Sequence, residues 1–349
     1  MESRMHPQRK SNLTVIIPAY NEAKTVGDTI RSIQAQTIAA DEIIVIDDCS
    51  QDATAEVARS LGARVISPAC NTGSKAGAQN FALQFVETEF VMAVDADTTL
   101  APDAIEKLLA ALSEQGMAAA CGFVVPRYVK TVWERGRYIE YLFAFSFFKE
   151  IQDYYEKPLI SSGCFSIYRT HILKLHKGWS TRTLAEDMDL TWTFYQMGHG
   201  VRFVPEAFCY PIEPHNFLFM RRQLKRWSHG FMQNVRLHWW KVMEVSYLRS
   251  IIAVALWDAT VASLAYLFLL PLLALWFRNP LFLLGYVIDA PVVLVPILLN
   301  IKKRKEIPRI LSSVPSFFFL RAVNSIFMLE AFWNELVMKH TFSTYEKGH

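Results

Sequence analysis

Residues 90–97 read FVMAVDAD: five apolar residues, Phe90 to Val94, then a carboxylate, an alanine and a second carboxylate. A short run that is apolar at every position reads as a parallel strand covered on both faces, because a half-exposed strand would alternate. The pattern recurs upstream. Leu13 to Ile17 (LTVII), apolar but for Thr14, is broken by Pro18-Ala-Tyr-Asn21; Glu42 to Ile46 is apolar after Glu42 and ends in Asp47-Asp48; Ala63 to Ser67 reads as a third strand. Helical patterns over roughly 25–36, and up to about Leu61, lie between them. Alternating strands and helices predict an open, doubly wound, mostly parallel sheet of the Rossmann-like α/β class, in which ligands bind at the carboxyl ends of the strands. The acidic residues stand at those ends.

Carboxylates after a strand do one of two jobs. Asp is favoured in turns and at helix N-caps, and Asp52 and Asp103 are read that way. A DxD tripeptide is weak evidence alone, since Asp187-Met-Asp189 repeats the spacing of Asp95-Ala-Asp97. Position separates the two. At the end of a buried extended run, Asp95 and Asp97 fall on one face, where their oxygens suit Mg²⁺ or Mn²⁺ with sites left for phosphate.

Composition adds a membrane. The 349 residues are 52% hydrophobic and 20% charged, too apolar for an ordinary soluble enzyme, and the excess is concentrated near the C-terminus. Residues 251–277 carry a single charge, Asp258, and predict a spanning helix; 281–299, interrupted by Asp289, Pro291 and Pro296, predicts a second. Residues 315–338 carry Arg321, Asn324, Glu330 and Glu335, and fit either a third span or a helix lying in the interface. Basic residues at 221–226 and 302–305 flank the hairpin and place both its ends in the cytoplasm. No apolar run precedes residue 140, so no leader is expected and the first 250 residues stay cytoplasmic at the inner (plasma) membrane. The five cysteines form no CxxC pair and are read as free thiols.

Two aromatic stretches read as interfacial helices: Tyr138 to Tyr155, and Asn216 to Met243, which holds six Lys or Arg and no acid. Nucleic acid is excluded as a partner, because the net charge is only +3 and a span follows the basic stretch directly. His215, a lone histidine, is read as structural. The expected organisation is a tail at 1–12, a cytoplasmic domain at 13–215, an interfacial region at 216–248 and a membrane region at 249–340.

Six motifs then occur in a fixed order: VIIPAYNE (15–22), VIDDCSQDAT (45–54), NTGSKAGAQN (71–80), VDADTTL (94–100), AED (185–187) and QLKRW (223–227). In this order they resemble family 2 glycosyltransferases, more narrowly the membrane-bound synthases of hyaluronan, cellulose, chitin oligosaccharide and poly-N-acetylglucosamine. The resemblance covers about residues 13–240 and implies a GT-A-like fold. It implies that Pro18, Tyr20 and Glu22 line the base pocket, that Asp48 contacts the uridine and that Lys75 lies beside the nucleotide. Asp95 would face the ribose and diphosphate, and Asp97 would hold the metal. Asp187 would be the general base, with Glu186 beside it in the catalytic triplet; Gln223, Arg226 and Trp227 would form the QxxRW grip on diphosphate and acceptor. Trp227 suits stacking on a pyranose, though a tryptophan there also suits an interfacial belt. The chain departs from the pattern at Cys49, where Gly is usual, at Ala185, where Thr is usual, and in lacking an N-terminal span.

The expected function is an inverting hexosyltransferase taking a UDP-sugar to a growing polysaccharide or oligosaccharide, with Mg²⁺ or Mn²⁺. The acceptor is a carbohydrate or glycolipid at the lipid bilayer. The alternative is transfer of a single sugar to a lipid such as a polyprenyl phosphate. From other classes come a nucleotidyltransferase and a non-catalytic export partner.

Overall fold

A computed structural model describes residues 11–300 and 304–343. Residues 1–10, covering most of the expected tail, and Lys302 and Lys303 of the basic run lie outside the described residues. The chain divides into two compact units: residues 1–124, 160–182 and 186–212 form the first, and 125–159, 183–185 and 213–349 the second.

The first unit is built on an eight-stranded sheet of order β3-β2-β1-β4-β7-β6-β8-β5. Its strands are β1 (Leu13–Ala19), β2 (Glu42–Asp47), β3 (Arg64–Ile66), β4 (Phe90–Val94), β5 (Thr99–Leu100), β6 (Met117–Val124), β7 (Phe165–Arg169) and β8 (Gly200–Tyr210). β3, β2, β1 and β4 are parallel; β7 runs against β4 and β6, and β5 runs against β8, while β6 and β8 pair in parallel. The expected mostly parallel α/β sheet is therefore what the chain forms. Leu13, Val15, Ile16 and Ile17 are all fully buried, as a strand covered on both faces requires. Helices α1 (Val26–Gln34), α2 (Thr54–Ser60), α3 (Lys75–Leu83) and α4 (Ala104–Ala111) connect the strands.

From β1 the chain moves outward to β2 and β3, then returns to β4 on the other side of β1. That reversal opens a crevice at the carboxyl ends of β1 and β4. Pro18 does not break β1, as its ring suggested; it pairs in register with Ile46. The carbonyls of Leu13 and Ala19 accept from β2-side amides, so odd-numbered residues of β1 face β2 and Pro18 faces the β4 side. There the ladder ends at Ile16, and the missing N–H leaves no bond unmade. Gly122 in β6 is required by packing: an added Cβ would lie 2.1 Å from the Phe165 ring and 2.3 Å from the Ala207 carbonyl.

The second unit is helical. Among the described residues three helices are long and apolar enough to cross a membrane: Leu248–Trp276, Pro280–Asn300 and Ile307–Val337. The third begins well before residue 315, and its 31 residues favour the spanning reading over the interfacial one. Its Arg321, Glu330 and Glu335 are matched inside the unit. Arg321 pairs with Asp289 and Asp258, and Glu330 with Lys225. Glu335 accepts from His229 at 2.9 Å and Gln233 at 2.8 Å. The expected helix over 138–155 is a helical run, Val132–Phe143 and Lys149–Tyr154, joined by a π-helical turn at Ala144–Phe148. It begins in a capping box, Thr131 with Glu134. Tyr138 and Ile139 pack with Val293, Ile297, Ile310 and Phe317, so this part of the run is core of the unit and not a surface ribbon.

Candidate active site

In the first unit the loops after β1 and β2 are stitched together. Ser50 Oγ accepts from the Asn21 amide, Asn21 Oδ1 from the Gln51 amide, and Thr54 Oγ1 from the Glu22 amide, at 2.7–3.0 Å. Tyr20 is exposed and Glu22 is buried. Asp48 is buried, with one carboxylate oxygen accepting from the Thr72 amide at 2.8 Å and the other from the Thr72 hydroxyl at 2.9 Å. A carboxylate has about four lone-pair sites, so capacity for a ligand remains. Cys49 has φ of 65°, which explains why glycine is usual at this position.

Lys75 opens α3 behind the N-cap Ser74, whose hydroxyl accepts from the Gly77 amide. Its ammonium forms an ion pair with Asp95 and donates to the Gly163 carbonyl at 2.9 Å. β4 ends at Val94, so the two carboxylates are presented by a turn, closed by the Thr98 amide donating to the Asp95 carbonyl, and not by strand alternation. Asp95 is half-buried against Lys75; Asp97 is buried and accepts from the Thr98 hydroxyl. Among the described residues no three His, Cys, Asp or Glu side chains converge on a metal site. The carboxylates of Asp97 and Asp95 are the hard oxygen donors of a cation that takes one or two protein carboxylates and completes its shell with phosphate oxygens and water, as Mg²⁺ does.

Glu186, Asp187 and Asp189 lie in the first turn of the Glu186–Gln196 helix, where the dipole favours negative charge. Asp187 accepts from the Gly163 amide at 2.8 Å and from the Met188 amide at 2.9 Å. Gly163 is thus gripped at both ends of its backbone, by Lys75 and by Asp187. A Cβ there would lie 2.7 Å from Asp187 Oδ2. Sequence reasoning passed over Gly163, because nothing local in SSGC marks a glycine whose missing side chain makes room for a carboxylate 24 positions away. Glu186 is buried.

In the second unit Gln223, Arg226 and Trp227 sit at i, i+3 and i+4 on the Phe217–Glu244 helix and share one face. Gln223 accepts from Arg137 at 2.8 Å and donates to Glu213 at 3.3 Å, and the Arg137 guanidinium lies 4.6 Å from the Trp227 ring centroid. Neither Arg137 nor Glu213 was singled out from the sequence. The same helix carries Gly230 against Ala185, where a Cβ would come within 2.7 Å of the Ala185 methyl. Asn234 and Gln233 bond the backbone at Ala185 and Leu184.

Residues 14–176 match the family model described as Glycosyl transferase family 2. A poly-beta-1,6-N-acetyl-D-glucosamine synthase of Staphylococcus epidermidis is 25% identical over 246 residues, which are 69% of this chain and 60% of the relative. A synthase of the same name from Staphylococcus aureus is 25% identical over 62% of this chain and 54% of its own length. The chain thus spans little more than half the length of these relatives. Among solved structures, a mannosyltransferase from Pyrobaculum calidifontis, in complex with GDP-Man and Mn²⁺, superposes with a TM-score of 0.61 at 18% identity, over 94% of this chain and 88% of its own. Staphylococcus aureus TarS 1–349, in complex with UDP, superposes with a TM-score of 0.51 at 16% identity, over 91% of each chain. These two establish a GT-A-like fold.

Proposed function

We propose, from the match of residues 14–176 to the family 2 glycosyltransferase model, that the chain is a membrane-bound, inverting hexosyltransferase that moves a sugar from a UDP-sugar onto a growing polysaccharide or oligosaccharide. N-acetylglucosamine is the sugar favoured by the names of the relatives. The observation that carries this reading is the chain of contacts from Asp95 through Lys75 and Gly163 to Asp187. A candidate phosphate-binding cation meets a candidate nucleotide carboxylate directly, and meets the candidate base through one glycine.

On this reading Pro18, Tyr20 and Glu22 border the base, Asp48 meets the uridine, and Lys75 faces the diphosphate. Asp187 takes the proton of the acceptor hydroxyl; that oxygen bonds to the anomeric carbon from the face opposite the leaving group, inverting it. The anomeric carbon–oxygen bond breaks, and UDP leaves with the electron pair, its charge met by Lys75 and by the planar fork of Arg226. A divalent cation on Asp97, with Asp95 beside it, supplies further charge stabilisation to the diphosphate when bound. Trp227 stacks on the acceptor ring, and Gln223 belongs to the same grip. Residues 249–340 hold the enzyme in the inner membrane with residues 13–215 in the cytoplasm, and 216–248 lie at the interface.

The test is purified protein in nanodiscs, offered a panel of UDP-sugars, with free UDP measured and labelled product sized on a gel. Release of UDP from one donor together with a ladder of products is expected. A single addition to lipid would replace extension with the glycolipid alternative, and no UDP from any donor would overturn the reading.

A further inference from the structure

The second unit buries an arginine that no motif explains. Arg137 is fully buried, forms ion pairs with Glu140 and Glu213, the latter at 3.6 Å, and donates to Gln223 at 2.8 Å. Its guanidinium also stands 4.6 Å from the Trp227 ring centroid and 5.5 Å from that of Tyr141, both within cation–π range. Tyr141 donates to Glu213 at 2.9 Å, and Glu213 also accepts from Gln223 at 3.3 Å. A fully buried cation is costly unless it is matched, and burying one for packing alone would be poorly served by a side chain with five donors. Here the Nη atoms donate to Glu140, Gln223 and Met220 Sδ, Nε faces Glu213 beyond hydrogen-bond distance, and the guanidinium makes the cation–π contact with Trp227.

We infer that Arg137 is a positioning residue for the acceptor grip: it fixes the amide of Gln223 and backs the ring of Trp227, while Glu140 and Glu213 hold Arg137 itself in place. The inference rests on the transferase reading for its consequence, but not for its geometry. Burial alone would lower the arginine, yet Glu140, Tyr141 and Glu213 outweigh it and hold Arg137 above its ordinary value. Burial pushes the Glu213 carboxyl up, against the pull of Arg137, Tyr141 and Gln223. Arg137 therefore keeps its charge throughout the working range of an enzyme. The planar fork matters because a lysine ammonium gathers its donors on one atom and has no flat face to set against the Trp227 ring while it holds Gln223 and Glu140.

Two measurements test this in nanodiscs. With 5-fluorotryptophan incorporated, the Trp227 resonance is assigned by its disappearance in Trp227→Phe. In Arg137→Lys that resonance is expected to shift and broaden while the other tryptophan signals hold. In the transfer assay, Arg137→Lys should depress kcat/KM for the acceptor by on the order of tenfold to a hundredfold, the scale of a misplaced group, with KM for the UDP-sugar within a few-fold. Glu213→Gln provides the second variant should Arg137→Lys not fold, with the same displaced resonance and a smaller kinetic loss. An unmoved Trp227 signal, or equal losses for donor and acceptor, would overturn the inference. Failure of the transferase reading looks different: the wild type would release no UDP, while the Trp227 resonance would still respond to Arg137.

Discussion

Two tripeptides of identical spacing, Asp95-Ala-Asp97 and Asp187-Met-Asp189, sit in opposite settings. The first lies in a turn after β4, with Asp95 on Lys75 and Asp97 buried against Thr98. The second lies in the first turn of a helix, where Asp187 meets the Gly163 amide and Asp189 is held bidentately by Arg182 at 2.7 and 2.8 Å. A carboxylate oxygen carries two lone pairs and can share with a ligand beside a first donor, whereas a bidentate guanidinium commits both oxygens of its carboxylate to one structural partner. The spacing alone says nothing about function; the partner of each oxygen does. Three of these four carboxylates belong to the proposed chemistry and one to stability.

The strongest test of that division is Asp97→Ala, which should leave no measurable turnover with Mg²⁺ or Mn²⁺, as EDTA should in the wild type. Retained activity in either experiment would break the assignment of the first tripeptide. Asp187→Asn comes next: turnover should fall by about two to four orders of magnitude with UDP affinity within a few-fold, the loss of a general base. A parallel fall in UDP affinity would mean Asp187 supports the nucleotide pocket instead. Gly163→Ala should follow, at about tenfold to a hundredfold in turnover, because the new methyl pushes the Asp187 carboxylate aside without removing it. Asp189→Asn inverts the pattern. It should cost about 1–3 kcal/mol of stability, toward the lower end because Arg182 is half exposed, read as a lower Tm, with turnover within a few-fold.

Much of the sheet was legible because β1, β2 and β4 are short, apolar and followed by acids, which is what burial on both faces demands of a sequence. β6 was not. Its run MAAACGFV is rich in alanine, which favours helix, and only close packing such as that at Gly122 makes it a strand. β8 hides behind Pro205, which falls where the register with β6 jumps from Gly122–Val204 to Phe123–Phe208, a bulge that tolerates proline. In the candidate site the motifs named the groups proposed to face a ligand and missed those that hold them. Lys75 meets Gly163 across 88 positions, and Arg137 meets Gln223 across 86. No local pattern records a partner at that distance.

The smallest effect sharpens the comparison on the nucleotide side, where Cys49 occupies a left-handed conformation with φ of 65° beside Asp48. That conformation costs a residue with a Cβ roughly 1–2 kcal/mol, and glycine escapes it. Glycine also gives back about 0.5–1 kcal/mol through the greater freedom of the unfolded chain, so Cys49→Gly should stabilise by only about 0.5–1 kcal/mol net. Desolvation at the turn, with Asp48 and Asp47 beside it, pushes the Cys49 thiol up, so little thiolate is present and no chemistry is lost with the side chain. The expected result is a Tm raised by about 1–4 °C and a rate of UDP release unchanged within about twofold. Where Asp189→Asn would subtract stability and spare the chemistry, Cys49→Gly would add stability and spare it too. A drop in UDP release would show that the strained turn itself shapes the pocket around Asp48, and the loop would then join the functional carboxylates.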